Sequence, residues 1–214
     1  MRTIVYIDGF NFYYGLRNKS RIDANWKSFY WIDFVKLSEQ FLVNGETLSK
    51  VKYFTAPPLN RQKQSRQSAL FKANSLLNEE RFEVIRGKYY DKQISCKGCG
   101  ISFSKPKEKR TDVNISVNMV GDSALGLVDK IILISADSDL VPPIEFIKKH
   151  YPNISIKIYF PPCNFSYDLK EIAKAKKITK LEDNSYRFKN SIMDEIIYNL
   201  DKSDNATIPE KWKK

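Results

Sequence analysis

Carboxylates follow two short apolar runs of the chain. Asp8 ends the run at residues 2–7, and Asp137 and Asp139 follow the run at residues 130–134. If these runs are neighbouring parallel strands, their carboxyl ends meet at one edge of the sheet and the three carboxylates converge there. Carboxylates that close repel one another unless cations neutralise them, so the pattern predicts a metal site. Oxygen ligands without a nearby histidine favour Mg²⁺ or Mn²⁺, which can activate water against a phosphodiester.

Asp112 supplies a fourth carboxylate, at the point where a basic segment gives way to a helical pattern. Aspartate is favourable near a helix N-terminus, so a cap is the alternative interpretation of this residue. Asp8 and Asp139, taken singly, also fit capping or turn positions. Two acidic strand ends in an otherwise basic protein nevertheless favour a common site over independent caps.

The elements that must position these carboxylates alternate along the chain. Short β-branched runs predict strands buried on both faces, and they lie at residues 2–7, 51–55, 82–86, 130–134 and 154–159. Helical spacing of apolar residues lies between them, at residues 32–42, 61–78, 114–127 and 141–149. This alternation predicts an α/β fold with a central, mostly parallel sheet of about five strands and helices on both faces.

The composition bounds the class of protein. The 214 residues include 36 Lys and Arg against 25 Asp and Glu, a formal net charge of +11, and 42% of the residues are apolar, which argues against disorder. No apolar run approaches the roughly 20 residues that span a bilayer, and three cysteines are too few for a disulfide framework. We therefore expect a cytoplasmic protein. Charge alone fits nucleic acid or an acidic membrane surface, but the acidic strand ends favour RNA and no membrane partner.

Cations are concentrated in two segments. Residues 86–110 carry no helical period and are predicted to form a basic loop or hairpin insertion, and a second basic group opens the helix after Pro57 and Pro58. Basic side chains interleaved with aromatic ones suit phosphate contacts and base stacking on single-stranded RNA. The candidate RNA-binding residues are Arg61, Lys63, Arg66, Arg86, Lys88, Tyr89, Tyr90, Lys109 and Arg110.

Cys96 and Cys99 form a CxxC turn inside the basic segment. Two thiolates at this spacing can hold one Zn²⁺, but a full site needs four ligands. The sequence offers Cys163 and His150 only as distant candidates for the other positions. An unmetallated turn is therefore favoured over bound zinc, and zinc shared between two protomers would be one route to a homo-oligomer.

Three blocks of sequence resemble the NYN domain family, the LabA-like branch of the PIN-like nucleases. They read YIDGFNFYYGL at residues 6–16, KRTDVNI at 109–115 and ILISADSDLVP at 132–142. The resemblance covers about residues 1–180. It implies a PIN-like, Rossmann-like three-layer sandwich and ribonuclease activity that depends on Mg²⁺ or Mn²⁺.

The resemblance also implies roles for individual residues. The implied metal ligands and catalytic residues are Asp8, Asp112, Asp137 and Asp139, with Asn11 as a further catalytic residue. Secondary site candidates are Ser135, Asn118 and Asp122. Relatives often carry Asp at the position of Asn118 and Gly at the position of Ala136. On one helix, Asn118 and Asp122 share a face, whereas Asp112 is rotated away from them.

These observations lead to a domain plan and a leading function. Residues 1–180 are expected to form the nuclease domain, and residues 181–214 a last helix and a polar tail packed on it. The leading function is hydrolysis of RNA phosphodiester bonds, with endonucleolytic action. The alternative is a non-catalytic RNA-binding or regulatory module with the same fold. A phosphatase is less favoured, because the first strand is followed by neither a Gly-rich phosphate loop nor an Asp-x-Asp motif.

Overall fold

A six-stranded parallel sheet organises the chain. The computed structural model describes residues 1–96, 98–174 and 178–213, with only the backbone of residues 90–92 and 104–108. The strands are β1 (Arg2–Asp8), β2 (Thr47–Thr55), β3 (Phe82–Arg86), β4 (Lys88–Ser95), β5 (Ser102–Lys109), β6 (Lys130–Ile134), β7 (Ser155–Phe160), β8 (Ile178–Lys180), β9 (Ile196–Tyr198) and β10 (Asn205–Thr207). The helices are α1 (Gly9–Ile22), α2 (Phe34–Glu39), α3 (Arg61–Asn78), α4 (Thr111–Ala124), α5 (Val141–His150), α6 (Tyr167–Ala173) and α7 (Ser185–Lys189).

The strand order of the sheet is β3-β2-β1-β6-β7-β8. The chain moves outward from β1 to β2 and β3, and then returns to β6 on the other side of β1. The carboxyl ends of β1 and β6 therefore form the switch point of the sheet, where α/β proteins place their functional residues. Ile7 of β1 pairs with Ile134 of β6, which confirms that the two strands followed by carboxylates are neighbours.

Helices cover both faces of the sheet, which confirms the predicted three-layer sandwich. Alternate residues of β1 point to opposite faces. Val5 and Ile7 pack with α1, α2 and α3, whereas Ile4 and Tyr6 pack with α4, α5 and α6. The strands buried on both faces explain why the sequence shows continuous apolar runs there.

The basic segment folds as an antiparallel hairpin of β4 and β5, in register from Lys88 opposite Lys109 to Ser95 opposite Ser102. Arg110 then takes a left-handed backbone conformation, with φ of 79°, and α4 begins at the next residue. The hairpin thus returns the chain to the carboxyl edge of the sheet directly before Asp112.

The prediction of a single helix between residues 182 and 200 is wrong. The chain forms a 3₁₀ turn at Leu181–Asn184, the short helix α7, and an antiparallel ribbon of β9 and β10. Ile196 and Ile197 are β-branched and favour a strand, and their alternating exposure places Ile197 on the core. The predicted frayed tail is also packed, since Trp212 stacks on Tyr30 with ring centroids 5.6 Å apart.

Two further elements lie outside the sequence prediction. The helix α1 follows β1 directly, because Asp8 caps it by accepting hydrogen bonds from the backbone N–H groups of Phe10 and Asn11 at 3.1 and 3.0 Å. The edge strand β8 extends the sheet beyond the predicted five strands. Within the described residues, none of the helices is both long enough and apolar enough to cross a membrane.

Candidate active site

Three carboxylates meet at the switch point of the sheet. One oxygen from each of Asp8, Asp112 and Asp137 lies within 4.8 Å of the others. Asp8 ends β1, Asp137 follows β6, and Asp112 lies in the first turn of α4, which packs over the ends of these strands. We call this group the acidic centre. Its three carboxylates offer only oxygen ligands, so the donor set fits a hard divalent cation such as Mg²⁺ or Mn²⁺.

Asp8 is the most deeply buried member of the acidic centre, with 2% of its surface exposed. Its Oδ1 accepts the two backbone hydrogen bonds of the α1 cap, and its Oδ2 accepts hydrogen bonds from Asn11 Nδ2 at 2.6 Å and Ser135 Oγ at 2.7 Å. Burial raises the pKa of Asp8, the charge of Asp137 raises it further, and these hydrogen bonds oppose the shift. The carboxylate is therefore oriented by neutral donors in a site that disfavours its charge.

Asn11 and Ser135 position Asp8. The side chain of Asn164, in the loop after β7, donates to the backbone oxygen of Asn11 at 2.9 Å and so ties that loop to α1. Ser135 is buried and also accepts a hydrogen bond from the backbone N–H of Asp137 at 3.1 Å. One hydroxyl group thus links two members of the acidic centre. Asn164 was not among the candidates, because an asparagine in a Pro-rich loop reads as an ordinary turn residue.

Asp139 lies beside the acidic centre rather than within it. Its side chain is exposed, and its backbone N–H donates to Asp137 Oδ1 at 3.0 Å. Among the described residues, the group of carboxylates close enough to share a cation contains Asp8, Asp112 and Asp137 but not Asp139. The structure therefore brings together three of the four carboxylates that the resemblance implies.

Asn118 and Asp122 contact a buried lysine. Lys52 of β2 donates to Asp122 Oδ2 at 2.7 Å and to Asn118 Oδ1 at 2.9 Å, and Tyr6 Oη donates to Asp122 Oδ2 at 2.6 Å. We call these four residues the lysine network. Burial raises the pKa of Tyr6, and the hydrogen bond to the Asp122 carboxylate raises it further. Sequence reasoning missed Lys52, although a lysine inside an apolar strand run signals a buried partner.

The basic candidates lie on elements that reach the same edge of the sheet. Arg61, Lys63 and Arg66 occupy the first half of α3, which begins after the carboxyl end of β2. The other basic candidates lie at the base of the hairpin and are exposed: Arg86, Lys88, Lys109 and Arg110. Tyr89 is half-buried, and the side chain of Tyr90 lies outside the described part of the chain. Cations thus border the acidic centre on the β2 and β3 side.

A cavity of about 480 Å³ opens between α1 and α3. Aromatic side chains form much of its wall, together with two cations and one amide side chain from α3. The lining residues closest in sequence to the acidic centre are Gly9 and Phe10, which directly follow Asp8. The sequence signal that could have revealed this cavity is the spacing of Phe10, Tyr13 and Tyr14, which places three aromatic rings on one face of a helix.

The CxxC turn lies at the tip of the hairpin, where Cys96 and Cys99 are exposed free thiols. Hydrogen bonds from the backbone N–H groups of Cys99 and Gly98 lower the pKa of the Cys96 thiol. Among the described residues, no further His, Cys, Asp or Glu completes a ligand set of three or more with these two cysteines. Cys163 is also a free thiol, and it lies in the loop after β7.

Comparison with known proteins identifies the family. A monooxygenase from Pseudomonas putida, 6-hydroxy-3-succinoylpyridine 3-monooxygenase HspA, is 27% identical over 183 residues, which cover 70% of this chain and 56% of that protein. The chain thus spans little more than half of the length of this curated relative. A crystal structure of a protein of unknown function from Vibrio parahaemolyticus has the same fold, with a TM-score of 0.56, 18% identity and coverage of 86% of this chain and 94% of that one. The model of the NYN domain matches residues 2–180, and the chain therefore belongs to the NYN domain family.

Proposed function

We propose that the protein is a divalent-metal-dependent ribonuclease that cuts single-stranded RNA internally. The observation that carries this proposal is the convergence of Asp8, Asp112 and Asp137 at the switch point of the sheet. Membership of the NYN family, a family of PIN-like nucleases, supports it. A bound Mg²⁺ or Mn²⁺ supplies Lewis acidity toward water and phosphodiester oxygens.

The chain's own residues prepare the site for that cation. Asp8 is the ligand whose orientation is most constrained, since four neutral donors hold its two oxygens before a cation binds. Asp137 and Asp112 add negative charge within 4.8 Å, which makes the empty site costly and favours a cation. Asn11 and Ser135 act by fixing the direction of Asp8, and we assign Asp139 a peripheral role, toward the solvent side of the site.

The cations around the acidic centre support an RNA substrate. A negative centre alone would repel a polyanion, so the substrate needs positive charge beside the site. The exposed cations Arg86, Lys88 and Arg110, at the base of the hairpin, and Arg61 at the start of α3 could supply phosphate contacts. The three free thiols fit a protein that works in the reducing cytoplasm. We assign residues 1–180 to the nuclease domain.

The test compares RNA cleavage by wild type and by two variants, Asp8→Asn and Asp137→Asn, with Mg²⁺ or Mn²⁺ added to the purified protein. We expect cleavage of single-stranded RNA by wild type and loss in both variants. Asp129→Asn is the matched control, because this aspartate precedes β6 at the opposite edge of the sheet. Cleavage that persists in both variants would refute the site, and salt-sensitive RNA binding without cleavage would establish the non-catalytic module instead.

The name of the Pseudomonas relative supports a second candidate function, oxidation of a small heteroaromatic acid. The aromatic cavity between α1 and α3 is the observation that favours it, because its volume of about 480 Å³ is that of a small-molecule site. The test is consumption of 6-hydroxy-3-succinoylpyridine in the presence of O₂ and a nicotinamide reductant. Consumption that survives Asp8→Asn, combined with no RNA cleavage by wild type, would favour this candidate.

A further inference from the structure

Aromatic rings from α1 line the cavity between α1 and α3. Phe10, Tyr13 and Tyr14 extend from α1 at helical spacing, and the centroids of Phe10 and Tyr14 lie 4.4 Å apart. Phe10 is 43% exposed, although it is a large apolar side chain beside a cavity. Stacking on such rings depends little on the identity of a base, because every base has a π-face. The volume of about 480 Å³ accommodates one planar aromatic group with a substituent.

The opposite wall of the cavity carries positive charge. Lys63 and Arg66 line it from the first half of α3. Within the described residues, no carboxylate forms an ion pair with either side chain. The first turn of α3 also contains no acidic residue, so its cations lie near the positive end of the helix dipole without a compensating carboxylate in that turn. A bound anion at this helix N-terminus would relieve their mutual repulsion.

The cavity shares a wall with the acidic centre. Gly9 follows Asp8 directly and lines the cavity, and its backbone oxygen accepts a hydrogen bond from Tyr53 Oη at 3.4 Å. A Cβ atom at Gly9 would lie 2.3 Å from the ring of Tyr53, so only glycine lets the two pack this closely. Burial raises the pKa of the Tyr53 hydroxyl, and the charge of Asp8 raises it further. The wall of the cavity therefore includes the residue after Asp8 and a tyrosine that lies close enough to Asp8 to respond to its charge.

We propose that this cavity is a base subsite, which binds one unpaired nucleobase of the RNA strand. The base stacks on the rings of α1, its phosphate contacts Lys63 and Arg66, and the adjoining phosphodiester is presented to the acidic centre. The proposal rests on the proposed ribonuclease function for the identity of the substrate. It adds that cleavage requires an unstacked base beside the scissile bond, which restricts the substrate to single-stranded RNA.

The experiment measures binding without cleavage, in EDTA, by fluorescence anisotropy. The ligands are a labelled short RNA and a fully abasic strand of the same length, in which every base has been removed. We expect the abasic RNA to bind about 10-fold more weakly to wild type, in the range that loss of base stacking produces. Tyr14→Ala should reduce this ratio to about 2-fold or less, and Lys63→Gln should weaken the binding of both RNAs.

Matched controls separate the subsite from general effects. Tyr198→Ala removes an exposed ring from β9, and Lys36→Gln removes an exposed cation from α2, and neither residue lines the cavity. Tyr198→Ala should preserve the 10-fold ratio, and Lys36→Gln should weaken the binding of both RNAs much less than Lys63→Gln does. Melting curves show whether Tyr14→Ala folds. If it does not, Phe10→Ala tests base stacking at a cavity ring that is 43% exposed. Equal binding of intact and abasic RNA by wild type would overturn the base subsite.

Two further arms identify the occupant and keep the proposals distinct. Competition with a nucleoside 5′-monophosphate and with nicotinate tests whether the cavity binds free aromatic anions. If either competitor bound more tightly than the RNA, the occupant of the cavity would be a small molecule and not a base of RNA. Base-dependent binding without cleavage in Mn²⁺ would refute the ribonuclease and retain the subsite. Cleavage that is equally fast on intact and abasic RNA would refute the base subsite and retain the ribonuclease.

Discussion

The contact between β1 and α4 contains two carboxylate sites with opposite surroundings. Tyr6 and Asp8 are two residues apart on β1 and point to the same face of the sheet. Tyr6 contacts Asp122, in the last turns of α4, whereas Asp8 lies near Asp112, in its first turn. Asp122 is paired with an ammonium group, at 2.7 Å from Lys52 Nζ. Asp8 is held by neutral donors beside two other carboxylates.

This difference distinguishes a structural carboxylate from a candidate functional group of carboxylates on the same two elements, β1 and α4. The charge of Asp122 is compensated inside the chain, so the lysine network needs no ligand to be stable. The charges of the acidic centre gather within 4.8 Å at one edge of the sheet, where neutral donors hold Asp8, and a bound cation would relieve their repulsion. Buried carboxylates are informative about function only after their internal partners have been counted.

The largest effect is expected from breaking the lysine network. Lys52→Met leaves the buried Asp122 without its ammonium partner, so the free energy of unfolding should fall by about 3–5 kcal/mol. Chemical denaturation monitored by circular dichroism measures this change. The double variant Lys52→Met, Asp122→Leu should lose much less than the sum of the two single changes, because it leaves no buried charge. If the double variant instead lost as much stability as the two single variants together, Lys52 and Asp122 would not be a coupled pair.

The next effect is on catalysis. Asp8→Asn should lower the rate of RNA cleavage by about 100-fold or more, equivalent to about 2.7 kcal/mol, because it removes a charged ligand from the acidic centre. The same variant should change the stability of the metal-free protein little at neutral pH, because removal of the buried charge offsets the loss of the hydrogen bonds that Oδ2 accepts from Asn11 and Ser135. Initial rates and melting temperatures test both statements. A variant with lower stability and unchanged cleavage would place Asp8 with Asp122 as a structural residue.

The pH dependence of metal binding should distinguish the two sites further. Burial raises the pKa of Asp8 above its unfolded value, so the metal-free folded state keeps this proton as pH rises past the unfolded pKa. Stability of the metal-free protein therefore falls through that window as pH increases. A cation needs the ionised carboxylate, so below the raised pKa its apparent affinity should drop about tenfold, or about 1.4 kcal/mol, per pH unit. Thermal shifts with Mn²⁺ at a series of pH values measure this, and Asp8→Asn should flatten the dependence.

Much of the acidic centre was predictable because strand ends are visible in the sequence. The apolar runs before Asp8 and Asp137 end abruptly, and parallel strands bring such ends to one edge. The sequence could not separate Asp139 from Asp137, because two residues at one strand end differ only in the direction of their side chains. The sequence could signal that Lys52 has a buried partner, but it could not identify Asn118 and Asp122 as the partners, because that depends on how α4 packs on β2.

The wrong prediction of a helix at residues 182–200 has a physical cause, since spacing alone does not distinguish helix from strand in short apolar segments. Ile192, Ile196 and Leu200 recur at a helical interval, but tertiary pairing decides the structure: Ile32 forms a bridge with Ile192, and β9 pairs with β10. The helix α1 was missed for the opposite reason. Its aromatic residues face a cavity as well as the core, so they show no simple apolar stripe.

The smallest effect is expected at Asp139, and it provides the finest test of the comparison. Its exposed side chain lies outside the group of three carboxylates, although its backbone N–H orients Asp137 Oδ1 at 3.0 Å. Asp139→Asn keeps that N–H, so we expect cleavage to fall by less than about threefold, equivalent to about 0.7 kcal/mol. Rates measured over a range of Mn²⁺ concentrations test this, with Asp137→Asn as the matched variant two residues earlier. A loss at Asp139 as large as that at Asp137 would show that the acidic centre closes around its cation, with Asp139 turning inward as a fourth ligand.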